Sequence, residues 1–222
     1  MLEKTHMFTS KKSTLYIILA GLFITNAIVA ELIGGKLIQI GPFIMSIGIV
    51  PWPVVFLTTD LINEFYGAKG VRKLSFITVF LIAYAFLLVF FAIQIPVAKG
   101  ISPVSFEQFQ AVFGQSLWII IGSITAFIIG QLVDITVFSY FKNKTGERYI
   151  WLRSTGSTLV SQLVDTFLVV GIAFWLPGKM SFSVYLNACF TEYSFKLIVA
   201  ILLTPLIYLG HSIIKRKIGE ND

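Results

Sequence analysis

The chain has 222 residues, of which 56% are hydrophobic and 13% charged, and its net charge is +6. That balance excludes an ordinary soluble domain, and no basic tract is interleaved with exposed aromatics, so no nucleic-acid partner is expected. The single Cys189 excludes an internal disulfide, and His6 and His211 stand at opposite ends, so neither a metal site nor any cofactor is expected.

The fold expected is an all-α integral membrane protein, with residues 1–222 forming a single domain of six transmembrane helices. Hydropathy at ~20 residues per crossing places the spans at about Thr14–Ile33, Phe43–Ile62, Leu74–Ile93, Ser116–Phe138, Thr158–Leu176 and Cys189–Ile213. The first span lacks a small-residue cleavage site and reads as uncleaved. Basic residues alternate between the connections. Lys4, Lys11 and Lys12, then Lys69, Arg72 and Lys73, then Lys142, Lys144, Arg148 and Arg153, then Lys215, Arg216 and Lys217 fall on one side. Lys36, Lys99 and Lys179 fall on the other. Thirteen against three puts the N- and C-termini in the cytoplasm.

In chain order, span one carries Asn26, deep enough to hydrogen-bond across helices, and Glu31, read as reaching the outer interface beside Lys36. Span two is irregular and Pro-interrupted: Gly41-Pro42, Gly48 and Pro51-Trp52-Pro53 break the helical hydrogen-bond pattern. Broken backbone at membrane depth is tolerated where it is buried or lines a cavity, and an ordinary proline kink is the other reading. Asp60 and Glu64 follow one turn apart. Glu64 reads as an interfacial ion-pair partner of the Lys69–Lys73 group, and Asp60 as a site candidate. Span three is nearly all aliphatic and aromatic and reads as lipid-facing scaffold. The connection from Gln94 to Gln115 reads as an outer loop with an interfacial amphipathic turn over Phe106–Phe113.

Spans four and five repeat one tetrapeptide, Gln131-Leu132-Val133-Asp134 and Gln162-Leu163-Val164-Asp165. Carboxylates are costly inside a membrane and rare there, and a Gln three residues before an Asp shares its helical face. Small residues extend both faces: Gly122, Ala126 and Gly130 before Asp134, and Ser157 and Ser161 before Asp165. Close helix approach follows from such spacing. Two readings stay open, polar glue between two helices and a shared polar pocket. Span six begins with Glu192 and Lys196, four apart, which either neutralise one another or line the same cavity.

Enzyme chemistry finds no support. There is no GxxxxGK[ST] phosphate loop, no Gly-x-Ser-x-Gly elbow, no His-Glu-x-x-His, and neither Asp134 nor Asp165 follows a Gly-x-Gly. Carboxylates, amides and aromatics suit a flat heterocycle with several N–H donors instead, because an ionised carboxylate accepts two parallel N–H bonds.

Thr59-Asp60-Leu61, Gly130-Gln131-Leu132-Val133-Asp134 with Val137-Phe138, Ser157-Thr158-Leu159 leading to Asp165-Thr166, Ala173-Phe174-Trp175, and Tyr193-x-Phe195-Lys196 resemble the bacterial queuosine precursor transporter family. The resemblance runs from about Pro51 to Tyr208. It implies an inner-membrane importer of 7-cyano-7-deazaguanine or 7-aminomethyl-7-deazaguanine, salvaged for tRNA modification, with no ATPase of its own. It carries over to Asp60, Gln131, Asp134, Asp165 and Lys196; Gln162 and Glu192 join them through the tetrapeptide repeat and the Lys196 spacing, and Asn26 through burial logic. Adjacent N–H donors of a deazaguanine suit an ionised Asp, and its flat face suits Trp118 or Trp175. Repulsion and desolvation between Asp134 and Asp165 favour one proton held at rest, available for coupling. The alternatives are a substrate-capture subunit of an energy-coupled importer, and a membrane assembly protein using Gly122, Ala126 and Gly130 as a helix-dimer face. Partners expected are a small deazaguanine base and the lipid bilayer, with homo-oligomerisation or an energy-coupling partner open.

Overall fold

The structure is a computed structural model describing residues 11–219 apart from Pro42, Lys99, Ser116 and Glu147. Lys4, His6, Pro42, Lys99 and the side chain of Lys217, which enter the expectations above, lie outside the described residues. The elements are α1 (Lys11–Ile33), a hairpin of β1 (Leu37–Ile40) and β2 (Phe43–Ser46), a 3-10 turn (Ile47–Ile49), and α2 (Trp52–Gln94). After them come α3 (Phe106–Phe113), α4 (Leu117–Thr145), α5 (Ile150–Val170), a π-helical turn (Gly171–Trp175), and α6 (Phe182–Gly219).

Among the described residues five helices are long and apolar enough to cross a membrane. In hydrocarbon every backbone N–H must be satisfied within its own segment, which selects helices. Side chains sort accordingly. Ile17, Phe80, Phe90, Leu117 and Leu202 point outward, while Thr58, Thr59, Ser75, Thr78, Ser154, Ser157 and Thr166 are buried among the helices. The apolar core joins Leu19, Phe23 and Ala27 of α1 to Val55, Ile62, Val71 and Ile82 of α2, with Phe127 and Ile135 of α4 and Ile214 of α6.

At 43 residues α2 would run about 65 Å if straight, twice the thickness of hydrocarbon. It is not straight. Gly67 has φ 76° and ψ 166°, a conformation open to glycine and costly for other residues. Asp60, before the break, interacts electrostatically with Asp134 of α4. Ser75, after it, donates to Gln131 Oε1 at 3.4 Å on the same stretch of α4. Residues 60 and 75 of a straight helix would stand about 22 Å apart, whereas Gln131 and Asp134 are neighbours on one face. The chain therefore changes direction at Gly67, so that both halves of α2 face the same stretch of α4.

Four expectations need correcting. Span two was expected as a helix from Phe43; residues Phe43–Ser46 are instead a strand paired antiparallel with β1, Leu37 opposite Ser46 and Ile40 opposite Phe43. Helix begins only at Trp52. Ser46 secures the change of direction, its hydroxyl donating to Gly34 O at 2.6 Å and accepting from Gly48 N at 3.1 Å. Arg153, counted with the connection charges, is fully buried near the start of α5; the charge asymmetry survives its removal. Glu31 does not reach out to Lys36 but is buried and accepts a hydrogen bond from Ser123 of α4. Finally, the small residues of α4 are not a dimer face. A Cβ on Gly122 would stand 3.2 Å from Ala173 N, and one on Gly130 3.5 Å from Asp165 Cβ, so that stripe is covered by α5 and its π turn within one chain.

Tight approach is not equal along these glycines, and that yields a test. A methyl group at Gly48 would meet Ala30 O at 2.7 Å, a backbone atom that cannot swing away, while at Gly130 the nearest atom is 3.5 Å off. Gly48→Ala is expected to lower thermal stability in detergent by about 1–3 kcal/mol, the usual cost of overpacking. Gly130→Ala should leave the melting temperature nearly unchanged. Equal melting curves for the two variants would contradict this packing of the 3-10 turn on α1.

Candidate functional site

The site is built on α5, whose sequence places a polar or small residue on one face at each turn. Arg153, Ser154, Ser157, Thr158, Ser161, Gln162 and Thr166 are all buried, a helical stripe by spacing. Against it α4 lays Gly122, Ala126 and Gly130, whose small side chains let the two axes close up. Close approach brings the two tetrapeptides face to face. Gln131, Asp134, Gln162 and Asp165 line one crevice together with Gly130 and Ser161, and Trp52, Phe56 and Phe127 close its apolar side.

Four of the crevice's polar side chains, Gln131, Asp134, Ser161 and Asp165, have identifiable partners. Asp134 accepts from the Ser161 hydroxyl at 3.2 Å and from Ser157. Asp165 is ion-paired: Lys196 Nζ of α6 stands 3.0 Å from its Oδ2 and also donates to Thr166 Oγ1 at 3.0 Å. Glu192 holds the same ammonium at 2.8 Å. Lys196 thus bridges the carboxylate on its own helix and Asp165 of the crevice, while neither Glu192 nor Lys196 is itself part of the crevice lining. Gln131 receives the Ser75 hydroxyl.

The aromatic wall differs from the expected one. Trp175 stacks on Tyr185 at 5.3 Å and Trp118 is exposed on the outer surface; neither lines the crevice. Trp52 takes that place, its ring 5.7 Å from Phe56 and 5.8 Å from Phe127. Asn26 also stands apart, donating to Leu22 O of its own helix at 2.9 Å rather than across helices. Asp60 lies beyond the crevice lining, and its carboxylate accepts from Ser154.

Glu64 was expected to pair with the Lys69–Lys73 group. Its carboxylate faces other basic side chains: Arg153 Nη2 at 2.6 Å, Lys142 Nζ at 3.2 Å and His211 Nε2 at 3.6 Å. Arg153 also donates to Gly146 O. Sequence reasoning missed Arg153 and Ser154 here, and Ser75 beside Gln131. The signal for Arg153 was spacing: it precedes Ser157, Ser161 and Asp165 by successive turns, on the face already picked out.

The crevice is nearly closed. Its open volume is about 10 Å³, room for one water at most. At the hairpin end Gln115 Nε2 donates to Glu31 O at 2.8 Å, tying the segment after α3 to α1. A larger hollow, about 630 Å³, lies along Gln94–Phe106 and holds none of these residues. Among the described residues no group of three or more His, Cys, Asp and Glu side chains is placed to hold a metal ion.

Comparison with known proteins gives this arrangement its context. The family model described as "Putative vitamin uptake transporter" matches residues 46–210, the stretch from the last residue of β2 into α6. A "Probable queuosine precursor transporter" of Bacillus subtilis (strain 168) is 31% identical over 183 residues, covering 81% of this chain and 77% of its own. The "Queuosine precursor transporter" of Escherichia coli (strain K12) is 28% identical over 181 residues, covering 79% and 77%. A "Probable queuosine precursor transporter" of Haemophilus influenzae is 28% identical over 177 residues, covering 77% and 70%. No solved structure matches the chain. A transporter rather than an enzyme, with several apolar helices, this is a multi-pass protein of the bacterial inner membrane. The chain belongs to the queuosine precursor transporter family, the one described by the vitamin uptake transporter model.

Proposed function

We propose that this protein imports a queuosine precursor, 7-cyano-7-deazaguanine or 7-aminomethyl-7-deazaguanine, for salvage into tRNA modification. The observation that carries the reading is the convergence of both Gln-Leu-Val-Asp tetrapeptides and an aromatic wall on one crevice, in a chain whose relatives bear queuosine precursor transporter names. A deazaguanine presents N1–H and its exocyclic amine as adjacent donors, matched to the free oxygen of an ionised carboxylate. Asp134 suits that part, since hydroxyls rather than a cation hold it. Gln131 and Gln162 add a donor and an acceptor each. Trp52 offers its face to the ring. Asp165, Glu192 and Thr166 take the three N–H donors of the Lys196 ammonium, so Lys196 meets the ligand's carbonyl oxygen or cyano nitrogen only by giving up one of these bonds.

Six crossings with both termini in the cytoplasm complete the reading, with α2 counted twice across Gly67. The Lys and Arg asymmetry supports it. Cysteines placed at Arg148 and at Lys179, in a chain with Cys189→Ser, are expected to react with an impermeant thiol reagent from opposite sides of the membrane. Reaction of both from outside would sink the topology.

The test of function is uptake of labelled 7-cyano-7-deazaguanine by cells that make no precursor and express this chain alone. Uptake without added partners separates a transporter from a capture subunit. Asp134→Asn keeps the shape but loses the charged acceptor, so affinity should fall about ten- to hundred-fold, the worth of a hydrogen bond to a charged group. Asp165→Asn, which leaves Lys196 with Glu192 alone, should do the same. Normal uptake by both variants, at matched membrane levels, would place the binding site elsewhere.

A further inference from the structure

The carboxylates inside the bundle differ in what balances their charge, and Glu31, like Asp60, has a single hydroxyl donor, Ser123. Asp165 has Lys196, and Glu64 has Arg153, Lys142 and His211. Asp134 has two hydroxyl donors. Asp60 has the Ser154 hydroxyl on Oδ2 and nothing on Oδ1, although it is only 3% exposed. Arg153 is near enough to interact with it, but its two terminal nitrogens are committed to Glu64 and to Gly146 O. Beside Asp60 three more buried atoms lack a hydrogen-bond partner, Asn63 Nδ2, Arg153 Nε and Glu64 Oε2, the last of which has Lys142 Nζ at 3.2 Å as its ion-pair partner. Asn63 and Glu64 share the face of Asp60, three and four residues on.

A carboxylate in such a place holds its charge at high cost, and binding a cation there relieves it. A metal ion is a poor fit, because the Arg153 guanidinium lies near enough to interact with Asp60 and the described residues offer no ligand cluster. A proton fits, because a neutral carboxyl needs no counter-charge. We propose that Asp60 binds the proton that drives this transporter, a site separate from the crevice that holds the base. This rests on the function proposed above.

Both ends of a coupling path are present. Toward the membrane face Asp60 leads to Glu64, one turn on, and so to Lys142, whose side chain is 35% exposed, and to His211, which stacks on Phe65. Toward the site it interacts with Asp134, a crevice residue. The charged and titratable groups around Asp60 are therefore Glu64 on its own helix, Asp134 and Lys142 from α4, Arg153 from α5 and His211 from α6. Ligand on Asp134 changes the field at Asp60, and a proton on Asp60 changes the affinity of Asp134 for ligand by the same factor.

The experiment uses purified protein in liposomes under a potassium–valinomycin clamp, with labelled 7-cyano-7-deazaguanine as probe. With one coupled proton, an inward gradient of one pH unit should give about tenfold accumulation, since one unit is 1.36 kcal/mol. Asp60→Asn should lose accumulation while keeping binding and exchange of internal for external base. Accumulation by Asp60→Asn, or gradient-independent accumulation by the unaltered protein, overturns the proposal. Should Asp60→Asn fail to insert, Ser154→Ala decides. That variant removes the hydroxyl favouring the ionised form, so the alkaline limb of the uptake–pH profile should move up by about one unit or more; an unmoved limb overturns the proposal. If the unaltered protein binds no base at all, the function proposed above fails, and this inference fails with it.

Discussion

Water does not reach the middle of a helix bundle in hydrocarbon, so each polar group on the buried face of α5 must find its partner on a neighbouring helix. From Arg153 to Thr166 that face carries a guanidinium, an amide and a row of hydroxyls. The other helices are placed to answer it. Helix α2 brings Asp60 to Ser154 and Glu64 to Arg153, α4 brings Asp134 to Ser157 and Ser161, and α6 brings Lys196 to Thr166 and Thr204 to Thr155. Tyr193 OH of α6 donates to Leu159 O at 3.2 Å. Lipid tails are as apolar as leucine, so contacts of this kind and close packing, rather than hydrophobic burial, set which helix sits where. The glycines of α4 and the break at Gly67 serve the same end, bringing acceptors within reach.

One consequence is a division of labour among residues of one type. Four carboxylates sit within a few helical turns, and each is balanced differently: by a lysine, by three basic groups, by two hydroxyls, by one hydroxyl. Coulombic attraction at 3 Å in a medium of low polarity exceeds what a neutral hydroxyl donor supplies. Cations thus answer Asp165 and Glu64 directly, while hydroxyls answer Asp134 and Asp60.

Much of this was legible in the sequence. The spacing of Gln, Asp and small residues picked out the α4–α5 contact, and it predicted which tetrapeptides meet, because 3.6-residue periodicity places them without knowledge of the loops. What failed depended on contacts far apart in the chain. Glu31 looked interfacial because Lys36 is five residues away, yet its partner Ser123 is 92 residues on. Arg153 looked like a topology signal because basic residues near span ends generally are; only Glu64, 89 residues earlier, makes its burial tolerable. Trp52 was hidden by the Pro-Trp-Pro context, which signals irregular backbone and says nothing of where the ring goes. The strand pairing of Phe43–Ser46 escaped notice because a short apolar run reads alike as strand or helix.

The same inventory of contacts orders the steps of opening. With the C-terminal end of α1 outward, as in the proposed topology, the outer side of the crevice is closed by Gln115 on the Glu31 and Leu32 carbonyls and by Ser123 on the Glu31 carboxylate. Hydrogen bonds to carbonyls are worth about 1 kcal/mol each, and one to a carboxylate about 1.5–3. Closing the inner side is Glu64, held by a fully buried arginine with a lysine and a histidine beside it. Separating a buried pair of that kind costs about 3–5 kcal/mol, somewhat less for the exposed Lys142 arm. On these magnitudes the contacts at the Glu31 end part more readily than the ion cluster at Glu64. In the import proposed above, the group best placed to weaken Glu64's hold on Arg153 is Asp60, one turn away and in electrostatic contact with the same guanidinium.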